Sequence, residues 1–120
     1  MGHVDLGEDG EGAALAALLD RGLTLVGRRV RTRLGEIDLV LLDGPVVVFA
    51  EVKTRSGPGF GRPAEAVTAA KRRRLERLAA AFLARRGWGE RRCRFDVVEV
   101  EPRQGALVAR HIEDAFRVGD

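Results

Sequence analysis

Two carboxylates and a lysine carry the sharpest chemical signal in this chain. Asp38 lies in GEIDLVLL (Gly35 to Leu42), and Glu51 and Lys53 lie in VVVFAEVKTR (Val46 to Arg55). Both stretches are rich in Val, Leu and Ile and read as strands, and Asp43-Gly44 between them is a strong hairpin signal. A two-residue loop there sets Asp38 opposite Phe49. Glu51 is then its diagonal neighbour on the same face, about 7–8 Å away between Cα atoms. Lys53, two residues beyond Glu51, points to that face as well. The rest of the face is apolar (Val40, Leu42, Val47, Phe49), and unpaired charges among such side chains are costly. A divalent cation or an ion pair offsets that cost. Mg²⁺ suits such a site, because it takes few carboxylates and keeps positions for water and phosphate oxygens. A half-exposed, salt-bridged patch at a sheet edge is the plainer reading of the same residues. With 18 of 120 residues acidic, Glu-x-Lys alone says little.

The flanking elements must hold this hairpin. Glu8 to Asp20 reads as a helix, with Glu11, Ala14, Leu15 and Leu18 on one face and Gly22 as its C-cap. Glu11 on that apolar face wants a partner, which the acidic site would supply; at the rim of the face, the helix N-terminus favours it instead. Leu23 to Arg33 reads as a strand with an exposed, arginine-rich face. After the glycine-rich loop Ser56 to Arg62, Pro63 suits the first turn of a second helix, which runs to about Arg86 and stops near Gly87. Its apolar stripe is Val67, Leu75, Leu78 and Phe82. Lys71 falls at the centre of that stripe, where it either snorkels outward or points along the sheet to an anionic site. Arg94 to Glu101 is a further strand, and Ala106 to Ile112 a short last one. Three strands, a helical crossover and a return to the sheet give a mixed sheet with helices packed on it, in one domain over residues 1–120.

The charge is unevenly spread. Net charge is +3, from 21 basic and 18 acidic residues, and all the basic residues but Lys53 and Lys71 are arginines. Lys71 to Arg94 alone carries net +8, leaving −5 for the rest. So polarised a segment suggests a polyanion, whose phosphates match arginine geometry, although a merely solvated helix face has the same composition. Five Phe and one Trp give poor support for a base-stacking platform. Trp88 reads as an exposed contact or a helix-end plug, and Cys93 as core.

Several classes are argued against. The longest wholly apolar stretch, Pro45 to Ala50, is far short of the ~20 residues that cross a bilayer. The acidic N-terminal segment lacks the basic start of a signal peptide, and a single cysteine fits a reducing compartment, so a cytoplasmic location is expected. There is no His/Cys cluster for zinc, no phosphate-binding glycine loop, and no elbow around Ser56, the one serine.

Taken together, GEIDLVLLDGPVVVFAEVKTR, Gly10-Glu11, Arg31 and Arg33, Phe60-Gly61 with Pro63, Lys71 with Leu75, and RFDVVEV resemble the YraN family of bacterial proteins over nearly the whole chain. That family is similar to the PD-(D/E)xK nuclease superfamily and, in layout, to archaeal Holliday-junction resolvases. The resemblance implies an α/β, restriction-endonuclease-like core, a mixed β-sheet in αβββαβ(β) order flanked by helices. It also implies a metal-dependent DNA endonuclease, with branched or damaged DNA among its substrates. Asp38, Glu51, the Val52 carbonyl and Glu11 would hold Mg²⁺ or Mn²⁺, and Lys53 would position the attacking water. Arg31, Arg33, Arg55, Lys71, Arg72, Arg73, Arg74 and Arg77 would hold nucleic acid, and symmetric cutting of two strands would need a homodimer. Ile37 stands where the motif's name places proline. The alternative is a catalytically silent nucleic-acid-binding or adaptor protein on the same fold.

Overall fold

The computed structural model describes residues 6–55 and 67–117. Helix α1 (Leu6–Asp20) leads into three antiparallel strands, β1 (Thr24–Thr32), β2 (Gly35–Asp43) and β3 (Val46–Thr54). Helix α2 (Ala69–Arg85) then crosses to β4 (Cys93–Arg103), which pairs parallel to β3, and β5 (Ala106–Phe116) returns antiparallel along β4. The sheet order is β1-β2-β3-β4-β5. The architecture is the expected mixed α/β one, with the last strand four residues longer than its sequence suggests. Among the described residues no helix is long and apolar enough to cross a membrane.

The helices cover opposite faces of the sheet. Ala14 and Leu18 of α1 pack with Leu23, Leu39, Leu41, Val48, Ala50, Val98 and Val100. On the other face Val67, Leu75, Leu78 and Phe82 pack with Val40, Val47, Phe49, Phe95 and Phe116. There Phe49 meets Phe82 edge to face at 5.8 Å and stacks on Phe95 at 5.7 Å. A central strand buried on both sides needs apolar residues at successive positions, which is why β3 opens on the apolar run Val46 to Ala50.

Both helices end in the same way. Gly22 (φ +94) lets Leu23 N–H donate to Leu18 O and Gly22 N–H donate to Leu19 O. Gly87 (φ +69) does the same for Trp88 with Leu83 and for itself with Ala84. This pair of bonds satisfies otherwise orphaned carbonyls, and it needs the left-handed backbone that glycine adopts cheaply. Trp88 is thereby set as a half-buried plug at the helix end, 6.2 Å from Phe82, with Arg91 over its ring.

Two sequence expectations are corrected. The hairpin turn is Gly44-Pro45, not Asp43-Gly44, because the register runs Asp43↔Val46, Leu42↔Val47, Val40↔Phe49. Gly44 takes the positive φ of +57, and the turn absorbs Pro45, which has no N–H for the ladder. A shift of two residues keeps every side chain on its face but changes its partner. Phe49 therefore faces Val40, not Asp38. The second helix starts at Ala69, not near Pro63: Val67 is not helical, and Thr68 is the N-cap, accepting from Lys71 N–H at 3.2 Å. Pro63 and the loop Ser56 to Arg62 lie outside the described residues.

Candidate active site

The β2–β3 ladder runs from Asp43↔Val46 to Leu39↔Ala50 and stops there. Beyond it β2 stays paired to β1 and β3 stays paired to β4, so the two central strands part like a fork. The next position in register is Asp38 across from Glu51. Asp38 is also where the alternation of β2 breaks: Ile37 and Val40 both join the α2-side cluster, while Leu39 joins the α1 side. The side chain of Asp38 fills the fork. Its Oδ2 accepts from Val52 N–H at 2.8 Å, a donor that the β2 backbone no longer reaches.

Glu51, buried at 8% exposure, turns towards α2. Its Oε1 is 2.6 Å from Lys71 Nζ, and its Oε2 is buried with no hydrogen-bond partner. The central lysine of the α2 stripe therefore points along the sheet to the acids, one of the two courses open to it. Lys53, expected inward beside Glu51, is exposed instead, and the ammonium that reaches the glutamate is that of Lys71. Lys53 lies two residues further along β3, near the exposed end of the strand.

The electrostatics of the fork are under-compensated. Burial and the neighbouring Glu51 charge push the Asp38 carboxyl up to about 6, against the opposing pull of Val52 N–H and Lys71. Glu11 adds to the upward push, so its charge is felt at the fork. Its own partners are arginines, however. Oε1 is 3.3 Å from Arg28 and Oε2 3.2 Å from Arg29, both on β1. Glu11 is buried on the α1 face as its spacing requires, but the structure brings it to that pair and not into contact with Asp38 and Glu51. Among the described residues no three His, Cys, Asp or Glu side chains converge on one metal position. The assembled set is two carboxylates and one lysine.

The residues expected to hold nucleic acid divide in two. Arg33, Arg73, Arg74 and Arg77 are exposed, and Arg31 is exposed beside Glu36 at 2.9 Å. Arg55, Lys71 and Arg72 are instead engaged: Arg55 with Glu99 at 3.2 Å, Lys71 with Glu51, and Arg72 with Val67 O and the Phe116 ring.

Sequence reasoning missed the acids of β4. Asp96, Glu99 and Glu101 are fully buried. Asp96 gathers Arg94, His111 at 2.7 Å and Asp114 N–H at 2.9 Å. Arg94 also reaches Asp43 at 2.6 Å. Arg21 can only donate, so its 2.7 Å contact makes His111 Nδ1 an acceptor and leaves Nε2–H to donate to Asp96. A signal was present: RFDVVEVE reads as a strand apolar on both faces, and acids within such a strand must be buried with partners.

A profile of the uncharacterised protein family UPF0102 matches residues 10–100. A UPF0102 protein of Symbiobacterium thermophilum is 56% identical over 112 residues, covering 92% of this chain and 95% of that one. One from Moorella thermoacetica is 52% identical over 78% of each chain. One from Rhodococcus jostii is 45% identical over 97% of this chain and 100% of its own.

Proposed function

The chain belongs to the uncharacterised protein family UPF0102, and on that premise we propose that it is a divalent-metal-dependent nuclease acting on DNA. The observation that carries this reading is the pair Asp38 and Glu51 held together at the strand fork. A buried and a half-buried carboxylate with one lysine, paired to Glu51, are poorly neutralised, as the raised Asp38 carboxyl and the unpartnered Glu51 Oε2 both express. Such a set fits Mg²⁺ or Mn²⁺, which bind through one or two carboxylates and keep their remaining positions for water and phosphate oxygens. The Val52 carbonyl is the backbone oxygen next to the pair. When bound, such an ion polarises a phosphoryl oxygen and lowers the pKa of a bound water.

The chain's own residues supply the rest. Val52 N–H fixes the Asp38 carboxylate, and Lys71 fixes that of Glu51. Lys53, exposed beside them, is free to meet a phosphate and offset the charge that develops on it. Arg33, Arg73, Arg74 and Arg77 present exposed guanidinium groups to the backbone. The likeness of GEID and EVK to the PD-(D/E)xK pattern supports a phosphodiester as the substrate.

A cleavage assay over duplex, single-stranded, flap and four-way-junction DNA with Mg²⁺ or Mn²⁺ tests the reading. Cutting is expected from the native protein and lost in Asp38→Ala and Glu51→Ala. Cutting that survives both changes would remove the site. The Lys71–Glu51 ion pair supports a second reading, a silent nucleic-acid-binding protein in which lysine is the permanent counter-ion. Calorimetric titration with Mn²⁺ separates the two, since a silent protein binds DNA but takes up no ion at Asp38 and Glu51.

A further inference from the structure

Past the acid pair, the α2 face of the sheet carries a second arrangement. In register, Lys53 of β3 faces Glu99 of β4, and Glu99 faces Arg110 of β5. Arg55 extends the same line of β3, its N–H donating to Val100 O at 2.8 Å, and its side chain shares the face of Glu51 and Lys53. Glu99 is wholly buried between the two arginines. Arg55 donates to its Oε1 at 3.2 Å and Arg110 to its Oε2 at 3.3 Å. The arginines remain partly open, with 28% and 41% of their side chains exposed. Beside them Glu101, also wholly buried, holds Arg103.

A buried carboxylate placed under arginines does two things. It removes rotamer freedom from side chains that otherwise have much to lose on ordering, and it leaves the guanidinium edges aimed away from it. The four cations Lys53, Arg55, Arg103 and Arg110 outnumber the two acids, so the row stays positive. It begins two residues, about 7 Å of strand, from Glu51.

We propose that Arg55 and Arg110, held by the two oxygens of Glu99, form a phosphate-binding subsite for the nucleic-acid backbone, next to Lys53 and distinct from the acid pair. The proposal rests on the nucleic-acid reading above. Glu99 is a positioning residue: it touches no phosphate and acts through the arginines.

The experiment is binding of the full chain to a fluorescein-labelled DNA duplex, followed by anisotropy from 50 to 200 mM salt with EDTA present, so that no divalent ion contributes. Arg110→Gln is expected to weaken binding by about three- to tenfold and to flatten the plot of log affinity against log salt by about 0.9, the loss of one phosphate contact. Arg85→Ala, an equal loss of charge in the last turn of α2, leaves that slope unchanged. Glu99→Gln gives a change whose sign decides the role of the glutamate. It adds one net positive charge, so a purely electrostatic effect tightens binding. An amide offers one acceptor oxygen where the carboxylate offers two, so a positioning role weakens binding, by about threefold. Circular dichroism confirms that each variant is folded; if Glu99→Gln is not, Arg55→Gln takes its place and is expected to match Arg110→Gln. Native-like affinity and slope in Arg110→Gln, or tighter binding in Glu99→Gln, would overturn the subsite while leaving the nuclease reading in place. A native protein that binds no DNA would sink that reading as well.

Discussion

Asp38 on β2, half-buried, and Asp96 on β4, fully buried, flank the same central strand, yet their carboxyls move in opposite directions. Burial would raise the Asp96 carboxyl too, but hydrogen bonds from His111, Arg94 and Asp114 N–H hold it below the ordinary range. Asp38 has one backbone donor, and beside burial the charge that weighs most on it is that of the Glu51 carboxylate, so it is pushed up to about 6. Desolvation is common to the two; the partners decide the sign. One region gathers its cations within the fold and is finished. The other leaves a deficit of positive charge, the state that the proposed metal site requires.

The contrast can be broken in four ways. The largest effect should come from Asp96→Ala, which takes from Arg94 and His111 the buried acceptor they share. Stability should fall by about 3–5 kcal/mol in urea unfolding, the usual cost of removing one partner of a buried charged cluster. Asp38→Asn should do the reverse. Its amide oxygen can still accept from Val52 N–H, so the fold is kept or slightly strengthened, while Mg²⁺-dependent cleavage falls at least about a hundredfold, or about 3 kcal/mol. If Asp38→Asn unfolds the protein and Asp96→Ala does not, the assignment of the two regions is the wrong way round.

The third lever is pH. A carboxyl raised in the folded state makes the folded protein bind more protons than the unfolded chain between the two pKa values. The contribution of Asp38 to stability should therefore be full below about pH 4 and fall as pH rises through about 6, by about 2 kcal/mol after solvent screening. Asp96, with its carboxyl lowered, contributes above the ordinary aspartate pKa and loses that contribution as pH falls through its folded value. Urea titrations of native protein against Asp38→Asn at pH 4, 6 and 8 should show the gap widening upward. The smallest effect is that of the ion itself. At a Mg²⁺ concentration ten times its Kd the native protein should gain about 1.4 kcal/mol, read as a rise in Tm, and Asp38→Asn should gain none. An equal rise in both would place the ion elsewhere.

Much of this was legible in the chain. The two helical stripes, the glycine stops at Gly22 and Gly87, the hairpin and the helical crossover all follow from periodicity and local backbone rules, because their causes lie within a few residues. That Glu11 and Lys71 face inward follows from the same periodicity. The partners of those side chains do not. Glu11 turns to Arg28 and Arg29 because β1 passes beneath it, and Lys71 meets Glu51 because α2, capped by Thr68, starts at Ala69 and sets Lys71 in its first turn.

The two-residue error in the hairpin shows where local reasoning stops. Composition and alternation place Asp38 and Glu51 on neighbouring strands but do not fix which residue of one faces which of the other. Register was settled by Gly44 and Pro45 sharing the turn, and it set the two acids across from each other where β2 and β3 part. The buried acids of β4 were likewise hidden, because a strand's burial on both faces is a property of the sheet around it. The sequence by itself determined which residues are acidic, which faces are apolar and where helices end, since those depend on neighbours along the chain. The tertiary structure alone decided which charges meet, since an ion pair depends on distance in space and on how much water is left around it.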